Sequence, residues 1–226
     1  MSVLDLRDVH RDFGSGASLV HALSGLSLTV EAGEFVAVMG PSGSGKTTLL
    51  NIAGGLERPT RGEVLVAERL LTGDRAVLAA LRRRTVGYVF QDLNLIPALT
   101  AAENVMLPRE LDGVRTKAAR AEALAALDEV GLAEAADRFP DELSGGQRQR
   151  VAIARALIGE RRLILADEPA GALDSVSGDE LMKVLRARCD AGAACLMVTH
   201  ESRHAAWADR TVFLRDGALD GSEVTV

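Results

Sequence analysis

The chain has 226 residues, 47% of them hydrophobic and 26% charged, with a formal net charge of −6. That length suits one α/β domain with a substantial core. The acidic balance excludes a dedicated nucleic-acid binder, which is usually basic. Any positive potential must be local, since the only lysines are Lys46, Lys117 and Lys183. Cys189 and Cys195 lack Cys or His partners at zinc spacing and read as two reduced thiols. No signal peptide opens the chain, and no apolar run approaches the roughly 20 residues of a membrane span. A soluble, cytosolic protein is expected, reaching a membrane only by docking on another chain.

Residues 3–9 alternate apolar and polar, as a half-buried strand does, and Phe13 follows just before the turn-like Gly14-Ser15-Gly16. His21–Leu23 and Leu26–Val30 read as two more strands, closed by Glu31-Ala32-Gly33. An antiparallel β-layer is therefore expected ahead of Glu34–Met39, an apolar run of strand length. After it come Gly40-Pro41-Ser42-Gly43-Ser44-Gly45-Lys46-Thr47-Thr48 and a helix ending at Gly54-Gly55. Glu63–Val66 is a strand, Asp74 caps a helix through Arg84, and Val86–Phe90 is the next strand.

From Gln91 to Ser144 the pattern turns helical. Pro97 and Pro108 bracket a short helix begun by Thr100, with Glu103 at capping-box spacing. Thr116–Val130 is amphipathic and stops at Gly131. Leu163–Ala166 and Ala194–Val198 read as strands around a Ser175–Cys189 helix, the β-α-β alternation of a parallel sheet. Thr211–Leu214 is expected to be the last strand.

The strand, Gly-rich turn and helix around Lys46 form the setting in which G-x-x-x-x-G-K-T is a P-loop. Glycines let the backbone curl round an anion with its N–H groups pointing inward. The helix N-terminus and Lys46 add positive charge near the β- and γ-phosphates, and the Thr47 hydroxyl is placed to ligate a bridging magnesium. The stretch binds a nucleoside triphosphate without choosing among kinases, GTPases and ATPases.

Leu143-Ser144-Gly145-Gly146-Gln147 makes that choice. As structure, Ser144 caps an amphipathic helix whose apolar face is Val151, Ile153, Ala154 and Leu157. A Ser-Gly-Gly before a helix is also a second anion-binding N-terminus, for which one chain has no second triphosphate. Here, over nearly its whole length, the sequence resembles the ATP-binding-cassette (ABC) family, whose LSGGQ signature takes the γ-phosphate held by the opposite subunit's P-loop. The resemblance implies a P-loop NTPase of α/β class with an N-terminal antiparallel β-layer and a helical subdomain at about residues 92–150, in one ATP-binding domain spanning 1–226.

Read alone, Asp167 and Glu168 are two carboxylates capping a strand end, Gln91 is an exposed loop residue, and His200 is an incidental strand-end histidine. The resemblance gives each a role. Asp167 holds magnesium with Thr47 and Gln91, and Glu168 is the general base that polarises the attacking water. Adjacent strand residues point oppositely, so both roles require a turn after Asp167, for which Pro169 supplies a reason. Gln91 couples the helical insert to the γ-phosphate, His200 bonds that phosphate, and Asp174 of Gly171-Ala172-Leu173-Asp174 contacts the partner's P-loop. Phe13 stands where the family places an adenine-stacking ring, commonly Tyr, and keeps the π-face for it. His10, His21 and His204 receive only the surface reading.

Residues 90–105 resemble the subgroup serving macrolide export, lipoprotein release and antimicrobial-peptide resistance, with the cell-division ABC ATPase as a close relative. Ala170 departs from it, standing where the subgroup usually has Thr. The implied activity is ATP hydrolysis with Mg2+ by a homodimer, or a heterodimer with a paralogue. It would drive a separate membrane permease from the cytoplasmic face, without nucleic acid or membrane insertion. A regulatory ATPase that transmits force or signal without moving cargo is the alternative, with identical motor parts.

Overall fold

The computed structural model describes residues 1–225, with backbone only for Ala17, Arg75 and 222–225. In chain order the elements are β1 (Ser2–Phe13), β2 (Val20–Glu31), β3 (Phe35–Met39), α1 (Lys46–Ala53), β4 (Arg61–Val66), β5 (Arg69–Leu70) and α2 (Arg75–Thr85). There follow β6 (Val86–Val89), α3 (Ala101–Leu111), α4 (Thr116–Glu129), α5 (Gly145–Leu157), β7 (Leu163–Asp167) and α6 (Ser175–Asp190). The chain continues through β8 (Ala194–Val198), α7 (Ser202–Ala205), β9 (Arg210–Arg215) and β10 (Ala218–Thr225).

Two sheets organise these elements. One is antiparallel, in the order β2-β1-β4-β5; the other runs β10-β9-β3-β8-β7-β6 and is parallel from β9 to β6. Strand period decides which core each side chain joins. Phe35, Ala37, Ile164, Ala166, Cys195 and Met197 face one cluster with α3, α4, α5 and α6. Their neighbours Val36, Val38, Leu163, Leu165, Leu196 and Val198 face another, with α1 and the antiparallel sheet. Helix α1 is thus held between the two sheets, its Leu49, Leu50 and Ile52 fully buried.

Four expectations are corrected. The runs His21–Leu23 and Leu26–Val30 are one strand, because β2 stays paired with β1 through register shifts that absorb the irregular middle. Pro108 lies inside α3 instead of ending it: its fixed φ suits a helix, and the helix runs on to Leu111 without that one N–H. The strand after Thr211–Leu214 was missed; β10 hairpins back antiparallel on β9 around Asp216-Gly217, both with positive φ. His204 is not a surface residue but 2% exposed, packed in α7.

Local chemistry sets the helix starts. Thr100 and Glu103 form the expected capping box on α3, and Ser144 and Gln147 form a second on α5. Buried Asn104 holds the segment before α3, donating to the carbonyls of Ile96, Leu99 and Thr100 and accepting from the Ile96 amide at 2.7 Å. No helix among the described residues is long and apolar enough to cross a membrane.

Candidate active site

The turn between β3 and α1 is shaped by what surrounds it. Gly45 precedes α1 with φ of 102°, and a Cβ there would lie 2.3 Å from the Ala22 carbonyl oxygen. Only glycine meets both demands. Lys46 folds over the turn, its Nζ donating to the carbonyls of Gly40 and Pro41 at 2.8 Å each. Ser44 is buried, its amide donating to Pro41 and its carbonyl accepting from Gly217.

A cleft of about 350 Å³ opens at this turn. Ser42, Gly43, Gly45, Lys46, Thr47 and Thr48 line it from the loop, with Gln91, Asp167 and Glu168 opposite. The strand order explains the meeting: β8 lies between β3 and β7, so the C-terminal ends of all three strands open on one edge. The Thr47 hydroxyl donates to Asp167 Oδ2 at 3.0 Å, across 120 residues of sequence. Burial raises the Asp167 carboxyl above its ordinary range; the Thr47 bond and Lys46 oppose this, while Glu168 adds to it.

The turn required after Asp167 occurs at Glu168 itself, whose φ is +48°. Its amide still donates to the Val198 carbonyl, but the left-handed backbone swings its side chain to the cleft on which Asp167 also faces. There Glu168 Oε1 lies 2.8 Å from His200 Nδ1. That bond raises the His200 pKa from its ordinary value.

Gly40, Pro41, Ser44 and His200, like the remaining expected residues, lie outside the cleft lining. Ser144, Gly145, Gly146 and Gln147 form the start of α5, and Asp174 caps α6 by accepting from the amides of Val176 and Ser177. Those bonds hold the Asp174 carboxyl below its ordinary range. Phe13 sits at the end of β1, 39% exposed, with the Arg11 guanidinium 4.3 Å from its ring centroid.

The sequence reading missed three features. His21 lines the cleft mouth beside Val20 and Ala22, with Asp12 Oδ1 2.6 Å from its Nδ1. Arg155 of α5 reaches the carbonyls of Leu93 and Asn94, both at positive φ, and so fixes the segment just after Gln91. Gln149, also in α5, is 2% exposed and bonds Pro169. The β1–β2 pairing sets His21 opposite Asp12, whereas no local signal marks the partners of Arg155 and Gln149, which are distant in sequence.

The fold and site define a P-loop nucleotide-triphosphate-binding protein. A family model described as ABC transporter matches residues 23–171. The uncharacterized ABC transporter ATP-binding protein YvrO of Bacillus subtilis is 46% identical over 96% of this chain and 95% of its own. The macrolide export ATP-binding/permease protein MacB of Hyphomonas neptunium is 45% identical over 96% of this chain. The pyoverdine export ATP-binding/permease protein PvdT of Pseudomonas fluorescens is 46% identical over 99%. The chain spans 34% of the length of each of these two. Among solved structures, the dimeric structure of MJ0796, a bacterial ABC transporter cassette, matches with a TM-score of 0.93 and 41% identity over 98% of both chains. The same cassette in a post-hydrolysis state bound to ADP and Pi matches with a TM-score of 0.93 at 40% identity over 98% of both chains. The chain belongs to the ABC transporter family.

Proposed function

We propose that this chain is the nucleotide-binding subunit of an export-type transporter, working on the cytoplasmic face of a membrane through a separate permease. Two subunits, identical or paralogous, close head-to-tail around two ATP molecules, and hydrolysis reopens them. One observation carries this reading. The Lys46 loop, the Thr47–Asp167 pair and Glu168 share one cleft, with His200 bonded to Glu168 beside it, while Ser144–Gln147 and Asp174 lie outside it, free to complete the site of a second chain.

In this reading the loop amides of residues 42–48 and the α1 N-terminus cradle the phosphates, and Lys46 exchanges the Gly40 and Pro41 carbonyls for phosphate oxygens. Glu168 orients the attacking water and takes its proton, held for that task by the left-handed turn. His200, bonded to Glu168, would in turn bond the γ-phosphate. Phe13 offers its remaining face to adenine.

The donor set fits magnesium. Hydroxyl and carboxylate are the hard oxygen ligands it takes, with phosphate and water completing the shell. Among the described residues no three His, Cys, Asp or Glu converge on a metal, so the ion would share its shell with substrate. Thr47, Gln91 and Asp167 would hold it, and the burial that raises Asp167 would be relieved by a cation. When bound, magnesium neutralises the charge of the β- and γ-phosphates. Residues 92–150 form the subdomain that moves with Gln91 and docks on the permease.

The test is ATP hydrolysis by the purified chain over a range of protein concentrations, with sizing in ATP. Turnover per subunit that rises with concentration, together with an ATP-induced dimer in Glu168→Gln, is the expected result. A monomer in ATP that turns over at a concentration-independent rate overturns the two-chain site.

A further inference from the structure

The side-chain amide of Gln149 donates to the Pro169 carbonyl at 2.6 Å, with both partners buried. A buried amide keeps such a partner because losing it leaves a polar group with nothing to bond. The carbonyl is the one backbone handle Pro169 has, since proline carries no N–H. Pro169 directly follows Glu168, whose own amide is tied to Val198. The turn that presents the Glu168 carboxylate is therefore held on one side by the sheet and on the other by Gln149.

The contact continues along α5. Gly146 lies one turn before Gln149, and a Cβ on it would lie 3.3 Å from Leu173 Cδ2 and 3.9 Å from the Ala172 carbonyl oxygen. One stripe of α5 thus lies along residues 169–173. That stretch is itself tightly turned: the Gly171 amide donates to Glu168 and the Leu173 amide to Ala170. It ends at Asp174, the cap of α6. The helix that begins with Ser144, Gly145 and Gly146 is consequently packed against the segment running from Glu168 to Asp174.

We infer that Gln149 is a positioning residue that links the two active sites of the dimer. This rests on the head-to-tail reading above. In that reading Ser144–Gly146 grip ATP held by the partner chain, whereas Glu168 acts on ATP held by its own. Gln149 lies on the same helix, about one turn from that grip. A shift of α5 on capturing the partner's phosphate is passed through the Gln149–Pro169 bond to the backbone that aims Glu168. The base of one site is then set correctly only when the other site is engaged, which makes hydrolysis cooperative in ATP.

The test compares wild type, Gln149→Leu and Gln149→Met. Both variants keep an apolar side chain of similar volume in place of the amide, and methionine also keeps the unbranched shape if leucine disturbs folding. Thermal melting and ATP-induced dimerisation check that each variant folds and binds. The expected result is a Hill coefficient above one for wild-type hydrolysis, lowered in the variants toward the value that ATP-induced dimerisation alone sustains. With it, kcat drops about 10- to 100-fold while KM stays within about twofold, as for a misaimed base with intact binding. A folded variant with the wild-type kcat and Hill coefficient overturns the inference, and so does a wild type without cooperativity. A wild type that neither dimerises in ATP nor loses activity on Glu168→Gln sinks the functional reading instead, so the two failures are distinguishable.

Discussion

His200 Nδ1 lies 2.8 Å from Glu168 Oε1, although 32 positions separate them in the chain. Sheet register makes the meeting possible. β7 and β8 are adjacent and parallel, with Asp167 opposite Val198, so residues just beyond each strand end emerge side by side. The carboxylate favours the protonated imidazole, which raises the pKa of His200.

Glu168→Gln removes that charge while keeping the shape. ATP hydrolysis is expected to fall by a factor of about 100 or more, with nucleotide binding retained. The His200 titration, followed by NMR, should move down toward the ordinary histidine value. A His200 titration unchanged in Glu168→Gln would show that the pair does not form in solution.

His204 gives the fold an acid-side weakness. Burial lowers its pKa below the ordinary 6.5, with Arg203 adding to this and Glu201, Asp179 and Glu168 opposing it. The unfolded chain therefore takes up a proton that the folded chain resists. Stability from this group is complete above the unfolded pKa and declines as pH falls from about 6.5 toward the folded value. His204→Leu has nothing to titrate there. Denaturant unfolding at about pH 7.5 and pH 5.5 should show a smaller acid-side loss in the variant than in wild type.

The same imidazole has a buried Nε2 without a hydrogen-bond partner. It lies 3.2 Å, and Ala170 Cβ 3.6 Å, from the point a Cβ on Gly178 would occupy. Glycine leaves that point without a side chain, so Ala170→Thr is expected to bring a hydroxyl toward the orphan nitrogen. The expected gain is about 1 kcal/mol, or roughly 2–4 °C in Tm. A lower Tm would mean that crowding by the added methyl outweighs the new bond.

Gly87 in β6 is demanded by packing and not by backbone conformation. A Cβ there would lie 2.1 Å from the Ala156 carbonyl oxygen in α5. Gly87→Ala must separate that helix from the strand, at a cost of about 3 kcal/mol or more. Equilibrium unfolding measures it, and a loss below about 1 kcal/mol would show that α5 can move aside freely.

Patterns confined to one element were legible in the sequence because their causes are local. Period two marked β1, short apolar runs marked β3, β7 and β8, and Thr100 with Glu103 marked the start of α3. Capping by Asp74 and Ser144 was also legible, since a cap acts within one helical turn. Pro108 misled, because a proline tolerated inside a helix leaves the same trace as one that ends it.

The site was legible as a set of residue types and not as an arrangement. Lys46, Thr47 and Gly45 announce a phosphate loop because the loop is contiguous, and Asp167-Glu168 announces itself at the end of an apolar strand. By themselves these residues gave the expectation of nucleotide chemistry. Tertiary structure alone decided that Thr47 would bond Asp167, that Glu168 would turn left-handed toward His200, and that Gln149 would hold Pro169. Each of these pairs joins segments far apart in the chain. The order of strands β3, β8 and β7, and the way α5 lies along residues 169–173, bring them together. Spacing along a sequence records turns and periods, whereas contacts between elements depend on how whole faces pack.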